Sequence, residues 1–156
     1  NRASFDRHER EYIYARGTSY FHKIPNQERI MAGLMRCEGF SYSFDPRACE
    51  TCQGNCCTGE SGYIWVSPEE LTMIANHLEM EEGTFIKEYL FKVRYRFTLK
   101  EIAYQDGFCC IFFDTIRKQC SIYPVRPSQC RTFPFWDYFK ENINEVKKEC
   151  PGITGY

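Results

Sequence analysis

Ten cysteines in a chain of 156 residues constrain what it can fold into more than any other feature. They stand at Cys37, Cys49, Cys52, Cys56, Cys57, Cys109, Cys110, Cys120, Cys130 and Cys150. Four of them fall between residues 49 and 57 as C-x2-C-x3-C-C. Asp45-Pro46 precedes this segment and Gly54-Asn55 interrupts it, so it is a loop. A short loop can turn several sulfurs toward one centre. Soft thiolates select zinc, copper(I) or iron–sulfur clusters over calcium or magnesium.

Three other uses of so many thiols compete with metal binding. Ten cysteines permit structural disulfides whose pairing the spacing cannot assign. Adjacent Cys-Cys pairs make clean pairing awkward, however, and a core this rich in rings hardly needs so many staples. Inert burial suits Cys37 and one member of the Cys109/Cys110 pair, since a thiol packs like a small hydrophobe, but it does not suit the whole set. A thioredoxin-type redox pair needs a βαβ setting, which does not surround Cys49 and Cys52.

Composition narrows the class further. Lys plus Arg is 20 against 21 Asp plus Glu, which argues against an electrostatic nucleic-acid or membrane-surface binder. No apolar run approaches the ~20 residues that span a bilayer. Aromatics make up 17% of the chain, so its core is built largely from rings. At this length a chain buries roughly 70% of its extended surface, enough for one real core. The first residue is Asn1, which reads as a processed, truncated or tagged chain, and with no secretory signal visible a cytoplasmic setting is expected.

Residues 1–19 carry charges of both signs and end in Gly17-Thr18-Ser19; they read as an arm or added leader, with the cysteine-bearing domain over 20–156. Ile30, Met31, Leu34 and Met35 predict a short helix over 28–35. Residues 62–66 read as a strand. Ser67-Pro68-Glu69-Glu70 is a capping box with proline at the first helical position, opening a helix through about Met80. Thr84 is expected to cap a second helix with Phe85, Ile86, Tyr89 and Leu90 inside. Tyr95, Phe97 and Leu99 alternate with polar residues as a strand. Cys109 to Asp114 reads as a buried strand that turns through residues 116–119 into Cys120 to Tyr123. Residues 135–139 and 143–149 read as helical. The fold class expected is α+β: a small single domain of short antiparallel strands and several helices, held together by a cysteine-ligated metal centre.

From Cys49 onward the chain resembles the YkgJ-type cysteine-cluster family, described as zinc- or iron-chelating domains. The resemblance rests on Cys49-Glu50-Thr51-Cys52-Gln53-Gly54-Asn55-Cys56-Cys57, on Cys110-Ile111-Phe112-Phe113-Asp114, on Cys120-Ser121-Ile122-Tyr123, on residues Arg126 to Phe135 and on Cys150-Pro151-Gly152. It implies that Cys49, Cys52, Cys56, Cys57, Cys110, Cys120, Cys130 and Cys150 are the metal ligands. Cys109 is an extra thiol beside Cys110, and Cys37 lies outside the match. A similar pattern in flagellin lysine methylases implies an iron–sulfur cluster there, but no methyl-donor site is visible in this chain.

Eight thiols exceed the four of one zinc site or one cubane cluster, so either two centres form or one forms with spare thiols. An iron–sulfur cluster of the 4Fe-4S type is favoured, with Tyr123, Phe133, Phe135 and Trp136 as a water-poor shell. Zinc follows and copper(I) ranks third. Four thiolates around either group carry about −2 formally, which is costly to bury alone. Arg126 and Arg131 bracket Cys130 and are candidates to donate to the sulfurs; pairing with surface carboxylates is the other reading. Arg117 and Lys118 read as solvated at a hairpin tip, as do Glu79, Glu81 and Glu82 at a helix end. Tyr63 and Trp65 read as core. The three histidines suggest no zincin motif.

These residues describe a metal-binding protein for metal handling or an accessory role, not expected to be an enzyme on its own. The alternatives are an iron–sulfur-dependent redox or methyl-transfer enzyme, or a disulfide-stabilised interaction module.

Overall fold

The computed structural model describes residues 33–155. The arm expected over 1–19, and residues 28–32 of the helix expected before Met35, lie outside them. Among the described residues the chain is α+β: four α-helices and short antiparallel strands in small sheets. Among these residues it divides into two compact units, one formed by 33–56 together with 132–155, the other by Cys57–Arg131.

The first unit is organised around a strand that receives partners from both ends of the chain. Met35–Arg36 (β1) and Ile153–Thr154 (β11) both pair antiparallel with Ser43–Phe44 (β2). Met35 thus opens a strand, not the end of a helix. Behind this sheet lies the helix Ile143–Glu149 (α4), as its periodicity predicts, and a 3-10 turn over Asp137–Lys140 where a longer helical run was expected from Phe135. The core is Tyr42, Phe44, Phe139, Val146 and Cys150, with Phe40, Phe133, Phe135 and Trp136 packed against it. Tyr42 stacks on Phe135 at 5.6 Å, and its hydroxyl donates to the Pro134 carbonyl at 2.7 Å. Rings fill this unit because edge and stacked contacts bury large areas with few side chains.

The second unit carries the remaining strands and most of the helices. Trp65–Val66 (β4), Leu90–Val93 (β5) and Arg96–Leu99 (β6) form one sheet with β6 central. Thr58–Gly59 (β3), Glu101–Tyr104 (β7) and Gly107–Cys110 (β8) form another with β8 central. Gly107 faces β3 so closely that a Cβ there would stand 2.3 Å from the Gly59 carbonyl, and so only glycine fits. Phe113–Asp114 (β9) and Gln119–Cys120 (β10) make a hairpin, in register Asp114↔Gln119 and Phe113↔Cys120, but its second strand begins at Gln119 and ends at Cys120, and Tyr123 opens a 3-10 turn where the strand was expected to continue.

The strand expected over 109–114 is broken. Cys110 ends β8; the Ile111 N–H carries the β7–β8 register one bond further, to the Lys100 carbonyl at 3.0 Å, and the chain then turns at Ile111 and Phe112 into the next strand. The apolar run therefore serves two sheets in turn. The residues before β6 also depart from simple alternation: Tyr95 is 83% exposed, while Thr98 is buried with its hydroxyl accepting from the Ile64 N–H at 2.9 Å. A buried hydroxyl is tolerated where it satisfies a backbone donor.

The helix Pro68–His77 (α1) begins as the sequence dictates. The Glu70 N–H donates to Ser67 Oγ at 3.2 Å, and the Ser67 N–H donates to Glu70 Oε2 at 2.9 Å. Leu71, Ile74 and Ala75 form the buried stripe, and His77 is exposed at its end. The following helix, Glu82–Tyr89 (α2), is capped by Glu81 and not by Thr84. Thr84 instead supplies the N–H that donates to Glu81 Oε2 at 2.8 Å. A glutamate reaches back across the first turn where a favourable helix dipole awaits it. Backbone N–H groups of Gly83 and Thr84 hold the Glu81 carboxyl below its ordinary range. Glu82 likewise is engaged, accepting from Thr72 Oγ1 at 2.5 Å, so the acidic run is a capping and tethering element. The core of this unit is Val66, Leu71, Ile74, Ala75, Phe85, Leu90, Leu99, Phe112 and Ile122.

Ser67→Ala is expected to destabilise the fold by about 1 kcal/mol, the usual cost of a lost N-cap, measured by urea unfolding. Because the folded Glu81 carboxyl is depressed, its contribution is present above the ordinary carboxylate range and fades as pH falls through its folded value. Glu81→Gln should flatten that part of the acid-unfolding profile.

Candidate metal centre

All ten cysteines lie among the described residues, and each is a thiol. In the first unit, Asp45 is the joint that positions the cysteine loop. Its N–H donates to the Gly152 carbonyl at 2.8 Å, extending the β2–β11 pairing by one more bond. Its carboxylate accepts from the Arg47 N–H at 3.0 Å and from Arg47 Nη2 at 2.7 Å, capping the 3-10 turn Pro46–Glu50 that carries Cys49. The Arg47 hydrogen bonds hold the Asp45 carboxyl below its usual range. The Cys52 N–H then donates to the Ala48 carbonyl at 3.0 Å, and Gly54, at φ +77°, lets the chain turn toward a second 3-10 turn, Asn55–Cys57.

Cys150 enters the same neighbourhood from the other end of the chain. It ends α4, where its N–H donates to the Val146 carbonyl at 2.8 Å, two residues before Gly152. Gly152 is required there: a Cβ would stand 2.7 Å from both the Asp45 carbonyl and the Phe44 ring. Burial pushes the Cys150 thiol up to about 11; the Gly152 N–H pulls against that, and the sulfurs of Cys49, Cys52 and Cys56 add to the rise. Those four thiols therefore share one electrostatic neighbourhood. Cys49 and Cys56 are exposed, whereas Cys150 sits among the aromatic rings.

In the second unit, strand register places the thiols. β3 pairs with β8 as Thr58↔Cys109 and Gly59↔Phe108, so continuing the ladder by one residue sets Cys57 opposite Cys110. Successive strand side chains point to opposite faces. Cys110 packs with Cys120 against the apolar core, and Cys109 takes the other face, fully buried. Burial pushes the Cys110 thiol up to about 12; the Phe112 N–H lowers it, while Cys120, Cys109 and Glu101 raise it. The Ser121 N–H donates to the Phe112 carbonyl at 2.8 Å, fixing Cys120 beside this turn.

Cys130 rides on a short helix, Ser128–Thr132 (α3), that its neighbours anchor. Gln129 acts as an extra strand partner: its Oε1 accepts from the Trp65 N–H at 3.0 Å and its Nε2 donates to the Tyr63 carbonyl at 2.9 Å. Glu70 Oε1 accepts from the Ser128 N–H at 2.6 Å, so one carboxylate closes the capping box of α1 and tethers α3. Sequence reasoning assigned Glu70 to the cap alone and did not single out Gln129. Its place next to a cysteine was the one available signal.

The two arginines have well-defined partners. Arg126 donates from Nη1 to the Tyr123 carbonyl at 2.7 Å and lies 3.7 Å over the Tyr123 ring. Arg131 donates to the Arg126 carbonyl at 2.5 Å and stands 3.8 Å from Glu70 Oε1. They brace the 123–131 turn, and the Glu70 contact is the carboxylate pairing that the sequence left open. Tyr123 is 59% exposed and so is not part of an enclosed shell; Phe133, Phe135 and Trp136 do pack on the core that holds Cys150. Lys118 is not merely solvated, since its ammonium donates to the Tyr104 hydroxyl.

Among the described residues, no three His, Cys, Asp or Glu side chains stand in ion-holding geometry. What the backbone supplies is neighbourhood: Cys49, Cys52, Cys56 and Cys150 in one unit, and Cys57, Cys110 and Cys120 in the other. The donor chemistry fits a soft cation. A thiol raised by burial and by other sulfurs is costly to ionise alone, and a coordinating cation reverses that cost. No helix of the described residues is long and apolar enough to cross a membrane.

A small α+β domain with thiols concentrated in this way is a thiol-rich metal chelator. The chain belongs to the CxxCxxCC family, described as a "putative zinc- or iron-chelating domain", whose model matches residues 48–151. The family's name writes two residues before the paired cysteines, where this chain has Gln53, Gly54 and Asn55. Over 83 residues the chain is 36% identical to the uncharacterized protein MJ0661 of Methanocaldococcus jannaschii. That stretch is 53% of this chain and 41% of the relative, so the chain spans less than half of the protein it matches. No solved structure matches the chain.

Gly152→Ala should part β2 from β11 and expose Cys150, seen as severalfold faster alkylation of Cys150 by peptide mapping. Gln129→Ala leaves the Tyr63 carbonyl and Trp65 N–H without their partner. It should cost about 1–3 kcal/mol and quicken alkylation of Cys130 without changing Cys150.

Proposed function

We propose that this chain binds an iron–sulfur cluster, with zinc as the competing occupant, through Cys49, Cys52, Cys56, Cys57, Cys110, Cys120, Cys130 and Cys150, and that it serves metal handling or an accessory role. The observation that carries the reading is the return of Cys150 to the Cys49–Cys56 loop through β2–β11 and the Asp45–Gly152 bond. Thiols about 100 residues apart in the sequence are brought toward one another by backbone pairing, in the aromatic setting that a cluster's sulfurs favour. A bound cluster would supply one-electron redox capacity or a structural clasp. The chain's own residues would supply the sulfurs, burial on one side by Phe44 and Val146, and backbone N–H groups such as those of Gly152 and Phe112. Such N–H donors stabilise thiolates and tune a cluster.

Arg126 and Arg131 enter this reading through charge and position. Their cations offset the negative charge of a thiolate centre, and they hold the turn that presents Cys130.

Anaerobically purified protein is expected to be brown, to absorb broadly in the visible, and to contain iron and sulfide. A colourless protein with stoichiometric zinc would assign zinc instead. Protein that takes up neither metal after reduction would overturn the reading. Arg131→Ala should lower metal occupancy severalfold, while the exposed Lys87→Ala should not; equal metal content in both by elemental analysis would remove the arginine role.

A further inference from the structure

We propose that the eight thiols form two separate four-cysteine centres, Cys49, Cys52, Cys56 and Cys150 in one unit and Cys57, Cys110, Cys120 and Cys130 in the other, each taking one tetrahedral soft cation or one cubane cluster. The inference rests on the metal-chelating reading above and adds the number of centres and the assignment of each ligand.

The division of the chain supplies the first argument. The first unit ends its N-terminal segment at Cys56 and resumes at Thr132; the second runs from Cys57 to Arg131. That division leaves four of the eight in each unit, with the adjacent Cys56 and Cys57 at the junction. Four sulfurs complete a zinc site or a cubane, so neither set has a ligand missing or to spare.

Local geometry at the Cys56-Cys57 pair supplies the second argument. Both residues lie in one 3-10 turn, Asn55–Cys57. Such a turn has three residues per revolution, so adjacent side chains diverge by roughly 120°. Neighbouring thiols splayed in this way suit two different ions better than one.

Backbone pairing also draws Cys150 to the first loop and Cys57, Cys110 and Cys120 to one another. The β2–β11 ladder and the Asp45–Gly152 bond bring Cys150 to the turn that carries Cys49. The β3–β8 ladder brings Cys57 to Cys110, and the β9–β10 hairpin brings Cys120 back to the end of the same apolar run. Cys130 follows from that hairpin through the Tyr123–Val125 turn and is anchored by Gln129 and Glu70. Cys109, on the opposite strand face from Cys110, and Cys37 are left outside both sets.

The test is cobalt(II) titration of the reduced 156-residue chain, read by thiolate-to-metal absorption, together with metal analysis of variants. Wild-type protein should bind about two equivalents. Cys49→Ser with Cys52→Ser, and separately Cys110→Ser with Cys120→Ser, should each keep about one. Cys37→Ser and Cys109→Ser should keep two. A wild-type break at one equivalent overturns the two-centre assignment while leaving metal chelation intact, and it does so without any variant that fails to fold. Loss of all metal in both double variants, with the wild type at two, overturns the independence of the centres. Wild-type protein that binds no cobalt overturns the chelating reading itself.

Discussion

The hydrogen bond from the Asp45 N–H to the Gly152 carbonyl is the contact on which the first unit depends. It lengthens a strand pairing that is otherwise two residues long, and two-residue ladders hold little by themselves. It also joins the tail to the one residue that caps the cysteine turn, because the Asp45 carboxylate is engaged with Arg47. Backbone and side chain of a single aspartate therefore determine where the tail lies and how the loop begins. Gly152 makes the approach possible by having no Cβ where the Asp45 carbonyl and the Phe44 ring come close.

The second unit answers the same problem with polar clamps. The α3 segment is too short to hold its position by helical cooperativity. Gln129 and Glu70 hold it instead: Gln129 bonds twice to the Tyr63–Trp65 segment, and Glu70 accepts from both Ser67 and Ser128. Such dual partners leave few ways to shift Cys130 without stranding a backbone donor or acceptor, and an unsatisfied buried group costs more than a made bond returns. The thiols themselves oppose the arrangement, since burial and neighbouring sulfurs raise Cys110 and Cys150. A soft cation is the partner that would turn this opposition into attraction, and its binding energy would then become folding energy.

Much of the local structure was legible in the sequence because it depends on contacts a few residues apart. The capping box at Ser67 and Glu70, the Leu71–Ile74–Ala75 stripe, the 114–119 hairpin and the helix from Ile143 all follow from local spacing. Where residues had two possible roles, local reading chose wrongly. Glu81 and Thr84 both suit a cap, and the longer side chain takes it because its carboxylate reaches two backbone N–H groups. The apolar run from Cys109 reads as one strand, but it turns at Ile111 and Phe112 and so passes from the β7–β8 pairing to the β9–β10 hairpin. Leu90 reads as the last inner residue of the preceding helix but opens the strand Leu90–Val93, and this strand and Glu101–Tyr104 carry apolar and charged residues alike on their exposed faces, so their partners alone define them.

The amino-acid sequence by itself determined the chemistry: a set of soft donors, their loop spacing, and a ring-rich core to hold them. Ligand type is a property of side chains and spacing, and needs no fold to be read. The tertiary structure decided the grouping. Cys150 stands by Cys49, and Cys110 rather than Cys109 by Cys120, because strand register and the alternation of strand faces settle proximity. Register is a long-range property, fixed by pairings between residues far apart in the chain, and no local pattern in a single sequence encodes it.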